Sequence, residues 1–146
     1  MRVRDLIGRK PAGVVTIEPG ATLEAAVKLM VRHNVGGLPV MAPDGAVTGF
    51  VAERDVVRAV YEHHGDIGTV LVAQVRRPPP MCDADDSVNA AMRRRTRERI
   101  RHLVVQDQGA IVGVLSVGDI VKNHVEQLEL EAGVLRDYVI AQRAKR

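Results

Sequence analysis

Gly113-Val114-Leu115-Ser116-Val117-Gly118-Asp119 ends an apolar, strand-like run that begins at Ala110-Ile111-Val112, and it opens a helix. From Asp119 onward Ile120, Val121 and Val125 advance in helical steps. A hydroxyl at Ser116 and a carboxylate three residues later suit an N-cap and a first turn. The plainest reading is a helix cap. The same pattern, however, stands 64 residues earlier as Gly49-Phe50-Val51-Ala52-Glu53-Arg54-Asp55.

The repetition continues outward from these signatures. Thr22-Leu23-Glu24-Ala25-Ala26-Val27 matches Ser87-Val88-Asn89-Ala90-Ala91-Met92, and Leu38-Pro39-Val40 matches Leu103-Val104-Val105. Asp44-Gly45-Ala46-Val47 matches Gln108-Gly109-Ala110-Ile111. The offset is 65 before this loop and 64 after it, so the second loop is one residue shorter. Self-similarity with a gap sited in a loop marks a duplicated unit.

Each unit reads as strand, helix, strand, strand, helix. In the first, these are residues 14–17, 22–34, 38–41, 46–52 and 53–62, with Pro43-Asp44-Gly45 as a hairpin turn. The second has strands near 80–83, 101–106 and 110–116 and a helix from Ser87. A short helix is expected around Val3-Leu6-Ile7, then a turn from Gly8 through Pro11 to Gly13, and a connecting helix is expected over 67–75. Arg76-Arg77-Pro78-Pro79-Pro80 must be extended, because prolines cannot continue a helix. The last helix, from Asp119 to about Gln142, carries Val121, Val125, Leu128, Ala132, Leu135 and Val139 at alternating four- and three-residue steps, a heptad stripe. The expected division is 1–66 for the N-terminal segment and first repeat, 67–79 for a linker, 80–123 for the second repeat and 124–146 for a helical extension.

Composition narrows the function classes. A chain of 146 residues can bury roughly 70% of its unfolded surface, enough for an independent fold. No apolar run approaches the ~18 residues of a bilayer span, and the first residues lack a secretory signal's apolar segment. A single cysteine, Cys82, excludes an internal disulfide, so a reducing cytoplasmic setting is expected. The net charge is only +3, and one Phe, two Tyr and no Trp leave little for base stacking, so no nucleic-acid partner is expected. The five histidines show no metal-ligand spacing. Neither a nucleophile–base pair nor a phosphate-binding glycine loop stands out, so an enzyme is not expected and no catalytic residue is assigned.

The doubled unit, with Gly-apolar-x-Ser/Thr-x-x-Asp closing its hairpin, resembles the CBS domain, and two units in one chain look like a stand-alone CBS pair, or Bateman module. The resemblance covers residues 14–122. It implies an α/β (α+β) fold of tandem β-α-β-β-α repeats about a pseudo-two-fold axis, with two clefts for adenosine-containing ligands: AMP, ADP, ATP or S-adenosylmethionine. The signature aspartate would hold ribose hydroxyls, and the Ser/Thr would approach phosphate. For the main cleft the resemblance implies Ser116 and Asp119, the strand edges Val14, Val15, Thr16, Gly37, Leu38 and Pro39, and Arg101. For a weaker cleft it implies Asp55, Arg54, Met81, Cys82, His102 and Leu103. Three departures stand out: Ala52 replaces the first Ser/Thr, Val104 replaces an expected proline, and Arg95 occupies a position that is Met30 in the first repeat. Ala52 suggests that its cleft binds weakly, takes a less phosphorylated ligand or stays empty, unless Arg54 turns in.

The function expected is a regulatory ligand-sensing module with no required cofactor or metal, acting as a homodimer on an unidentified protein target. The alternative is a dimerisation scaffold whose clefts are degenerate. The run Arg93 to Arg101 reads as a solvated helix end, with a phosphate contact from Arg101 or His102 as the second option.

Overall fold

Thr22 and Ser87, matched in the repeat, start matched helices. Thr22 Oγ1 accepts the Ala25 N–H at 3.1 Å and Ser87 Oγ accepts the Ala90 N–H at 3.0 Å. They open α2 (Leu23–His33) and α5 (Val88–Glu98). The computed structural model describes residues 1–8, 13–98 and 100–144, without the Arg95 and Glu98 side chains. The expected turn at Pro11 and the core position of Arg95 therefore lie outside the described residues.

The remaining elements follow the repeat. In the first unit, β1 (Gly37–Met41) pairs antiparallel with β2 (Val47–Ala52), and α3 (Glu53–Glu62) follows. In the second, β3 (Met81–Asp83) runs parallel to β4 (His102–Asp107), which pairs antiparallel with β5 (Ala110–Ser116), and α6 (Val117–Ala144) closes the chain. The shorter second loop has a clear cause. Gln108 and Gly109 both take positive φ, 51° and 82°, the two-residue hairpin turn that matches strand twist. Asp107 pairs directly with Ala110 across it.

Two expectations are corrected. The strand over 14–17 shrinks to one parallel bridge, Ile17 to Val40, because Pro19 follows closely and Val14 and Val15 run along a cleft instead. The connecting helix over 67–75 is helical only in α4 (Val72–Val75). Upstream, the Ile67 and Val70 carbonyls accept the Glu24 and Leu23 N–H groups at 3.3 and 2.7 Å, donors that the first turn of α2 leaves unsatisfied.

The packing joins segments that lie far apart in the chain. The short helix α1 (Val3–Ile7) puts Val3 and Leu6 in the core of the second unit, with Leu103, Val105, Leu115 and Ile120. Arg4 fixes it there by ion pairs to Asp85 (2.9 Å) and Asp107 (2.8 Å). Conversely Val70 and Val72, from the linker, complete the core of the first unit with Leu23, Leu38, Val40 and Val51. Each unit is thus finished by the segment that precedes the other. Phe50, Ala52 and Val104 form a third cluster with Met81 and Val114 packed on it, where the two sheets meet. Val104, the departure from proline, is fully buried there.

Candidate functional site

The two signatures close two clefts. Beside the second, α6 begins in a reciprocal cap: Asp119 Oδ2 accepts the Ser116 N–H at 2.8 Å and its hydroxyl at 3.0 Å, while the Asp119 N–H donates to Ser116 Oγ at 3.1 Å. These residues line a cleft of about 390 Å³ with Val14, Val15 and Gly37. Gly37 is obligatory, since a Cβ there would lie 2.5 Å from the Phe50 ring. Of the other residues assigned to this cleft, Leu38 and Pro39 are buried in the protein. Thr16 does not line it, and Arg101 lines the opposite cleft.

The first signature is built differently. Asp55 Oδ2 again accepts the N–H of the capping residue, Ala52, at 2.8 Å. No hydroxyl is present, and Arg77 takes the place it would fill. Arg77 Nη2 donates to Asp55 Oδ2 at 3.1 Å, and Nε lies 2.9 Å from Oδ1. Asp55 is the one buried charged side chain among the described residues, and this pairing neutralises it. The adjoining cleft, about 320 Å³, is lined by Arg54, Arg77, Arg94, Arg101 and His102, beside Ala52 and Pro78 to Pro80. His102 also lines the other cleft and stacks on Phe50, the ring centroids 5.3 Å apart.

Four residues expected in this cleft do not line it: Asp55 is buried in its pair with Arg77, and three others point elsewhere. Cys82 and Leu103 belong to the second unit's core, and Met81 packs between the sheets. Burial, and then Asp86, push the Cys82 thiol up to about 11, so it carries almost no thiolate at neutral pH. Arg94 was read as part of a solvated run, yet it is half-buried and its guanidinium donates to the Met81 carbonyl. Arg93 and Arg97 of the same run are exposed.

Arg77 and Arg94 line this cleft although neither belongs to a signature. For Arg77 a signal was present. The linker bonds to the edge of β2, with Phe50 and Arg77 exchanging backbone hydrogen bonds of 2.8 and 3.0 Å. Gly49 permits the crossing, since a Cβ there would lie 2.9 Å from Arg76 Cδ and the Arg77 carbonyl. Gly113 does the same for α1, whose Ile7 would lie 2.5 Å from the added atom. A signature glycine beside an edge strand therefore announces a crossing segment. No group of three metal-ligating side chains exists among the described residues, and no described helix is long and apolar enough to cross a membrane.

Duplicated units, two facing sheets and a cleft beside each capped helix define a paired-repeat module. The comparisons with known proteins agree. The CBS domain matches at residues 3–62 and 70–126. A CBS-domain protein of Agrobacterium tumefaciens superposes with a TM-score of 0.78 at 31% identity, covering 83% of this chain and 91% of that one. A CBS domain protein of Pyrobaculum aerophilum, solved complexed with AMP, superposes with a TM-score of 0.76 at 27% identity, covering 90% and 99%. Homoserine O-acetyltransferase of Methanohalophilus mahii is 35% identical over 104 residues, 70% of this chain but only 21% of that enzyme. The chain belongs to the CBS-domain family. Its two repeats form a CBS pair, a regulatory module.

Proposed function

We propose that this CBS pair senses adenosine-containing nucleotides, and that the Ser116/Asp119 cleft is the adenosine site. The observation that carries the reading is the capped start of α6 opening on a cleft walled by Val14, Val15 and Gly37. Apolar edges suit an adenine face, the Asp119 carboxylate suits two vicinal hydroxyls, and a helix start with a serine hydroxyl suits phosphate. The likeness to the AMP-bound relative supports it. AMP, ADP, ATP and S-adenosylmethionine are the ligands to compare by calorimetric titration and thermal shift, in wild type and Asp119→Ala. At least one should raise the melting temperature of the wild type, and Asp119→Ala should lose that effect. Equal binding by both proteins would overturn the assignment.

A second part of the reading concerns assembly. Residues 121–144 of α6 are exposed almost throughout, leaving Val121, Val125, Leu128, Leu135 and Val139 uncovered. A helix gains most of its stability from packing, so this one needs a partner. A second copy fits. In a parallel pair Glu131 would face Arg136 of the other helix, and His124 would face Glu129, while the stripe fills the seam. The module would then be a homodimer, and the target it regulates would meet a two-fold assembly.

A further inference from the structure

We infer that the first cleft, the one with Ala52, is a site for a chain of phosphates, recognised by arginines and not through a ribose. The inference adds to the nucleotide reading but stands on different residues. Arg54 from the first turn of α3, Arg77 from the linker, Arg94 from α5 and Arg101 ahead of β4 converge on one cleft of about 320 Å³. Glu53 is the only acid among its described lining residues. The other cleft has no arginine or lysine among its described lining residues, whose ionisable groups are His33, His102 and Asp119. Arginines from four separate segments line this one cleft, and arginine forks match phosphate oxygens in pairs.

Asp55 supports the same conclusion. Its carboxylate is turned away from ribose chemistry, because Ala52 N–H and Arg77 already hold it. Arg77 is tied to that pair by an Nη2 hydrogen bond and by Nε 2.9 Å from Oδ1, and the residue also lines the cleft. Arg54 and Arg101 are exposed and form no ion pair with any described residue, so both are open to an anion from solvent. The absence of a hydroxyl at Ala52 thus removes one phosphate donor from a wall that holds several stronger ones. The phosphate chain could belong to a nucleoside triphosphate or to an inorganic polyphosphate.

The test is calorimetric titration of the full chain at fixed salt with ATP, 2′-deoxy-ATP, AMP and inorganic tripolyphosphate. The Asp119→Ala background removes the ribose contact of the other cleft. In that background tripolyphosphate should bind at one site per chain, ATP and 2′-deoxy-ATP should bind alike, and AMP should bind at least tenfold more weakly. Arg54→Ala and Arg101→Ala, both surface changes that spare the core, should each weaken tripolyphosphate about tenfold, as loss of a charged hydrogen bond does. Preference for ATP over tripolyphosphate would assign the nucleoside as part of the ligand, with the phosphate contacts intact. Failure of tripolyphosphate to bind, or binding unchanged in both arginine variants, would overturn the inference. Because tripolyphosphate contains no adenosine, that failure would leave the Ser116/Asp119 reading untouched.

Discussion

The two capped helix starts share one bond and differ in everything around it. Asp55 and Asp119 each accept the N–H of the capping residue at 2.8 Å. What completes the carboxylate is a serine hydroxyl in one and an arginine from the linker in the other. The signature aspartate is therefore a backbone cap first in both units, and its second partner is what distinguishes the two. The helices behind the caps differ as well: α3 stops after 10 residues, whereas α6 runs for 28 and leaves its own domain.

That difference in length gives the largest expected effect. A chain ending at Asn123 keeps both clefts but loses the heptad stripe. Light scattering at micromolar concentration should show a dimer for the full chain and a monomer for the shortened one. A full-length monomer would break the comparison at this point.

The caps come next. Asp55→Ala strands the Arg77 guanidinium and removes the cap bond. A fully buried broken pair costs 3–5 kcal/mol, but Arg77 is 40% exposed, so about 2 kcal/mol is expected. Asp119→Ala loses the reciprocal cap with Ser116, about 1 kcal/mol. Denaturant melts of both variants should keep that order, and the reverse order would show that Arg77 is not what anchors the first cap.

The crossing segments sharpen the comparison further. Gly113→Ala places a methyl against Ile7 and should lift α1 from the second unit, at roughly 1–3 kcal/mol. Amide exchange should rise at residues 3–7 while the first unit stays protected. Uniform loss of protection would mean that α1 is not separately displaced.

The smallest effect is electrostatic. The Arg4 hydrogen bond holds the partly exposed Asp107 carboxyl below its ordinary value. A depressed carboxyl contributes stability above its unfolded pKa, near 4, and loses it as pH falls through the folded value. The melting-temperature gap between wild type and Arg4→Ala should therefore shrink from pH 6 to pH 3. A constant gap would assign the role of Arg4 to packing of its stem.

The duplicated plan was legible because it is local: caps at Thr22 and Ser87, turn residues, and apolar steps in register all act within a few positions. The Ser116–Asp119 cap was legible for the same reason. For the linker's arginine only half was legible: Gly49 announces a segment crossing β2, but the pairing of Arg77 with Asp55, 22 residues away, follows no local pattern. The same holds for α1. Its Val3 and Leu6 identify an apolar face, but only the path of the chain decides which core receives it. The edge residues Leu38, Cys82 and Leu103 were assigned to clefts by strand position. Alternation along a pleated strand turns them inward, and burial claims them.

The exchange of α1 and the linker between units has a consequence for synthesis. As the chain leaves the ribosome, the first repeat cannot seal its core until Val72 has emerged, already inside the connection to the second. Val3 and Leu6, made more than a hundred residues earlier, have no complete binding face until Ile120 is out. Non-local contacts of this span delay folding until nearly the whole chain is available. The two repeats are consequently a poor place to divide the gene. A nick in the loop around Gly65 should leave two halves that hold one another, each plugging the other's interior, and neither should fold stably when expressed by itself.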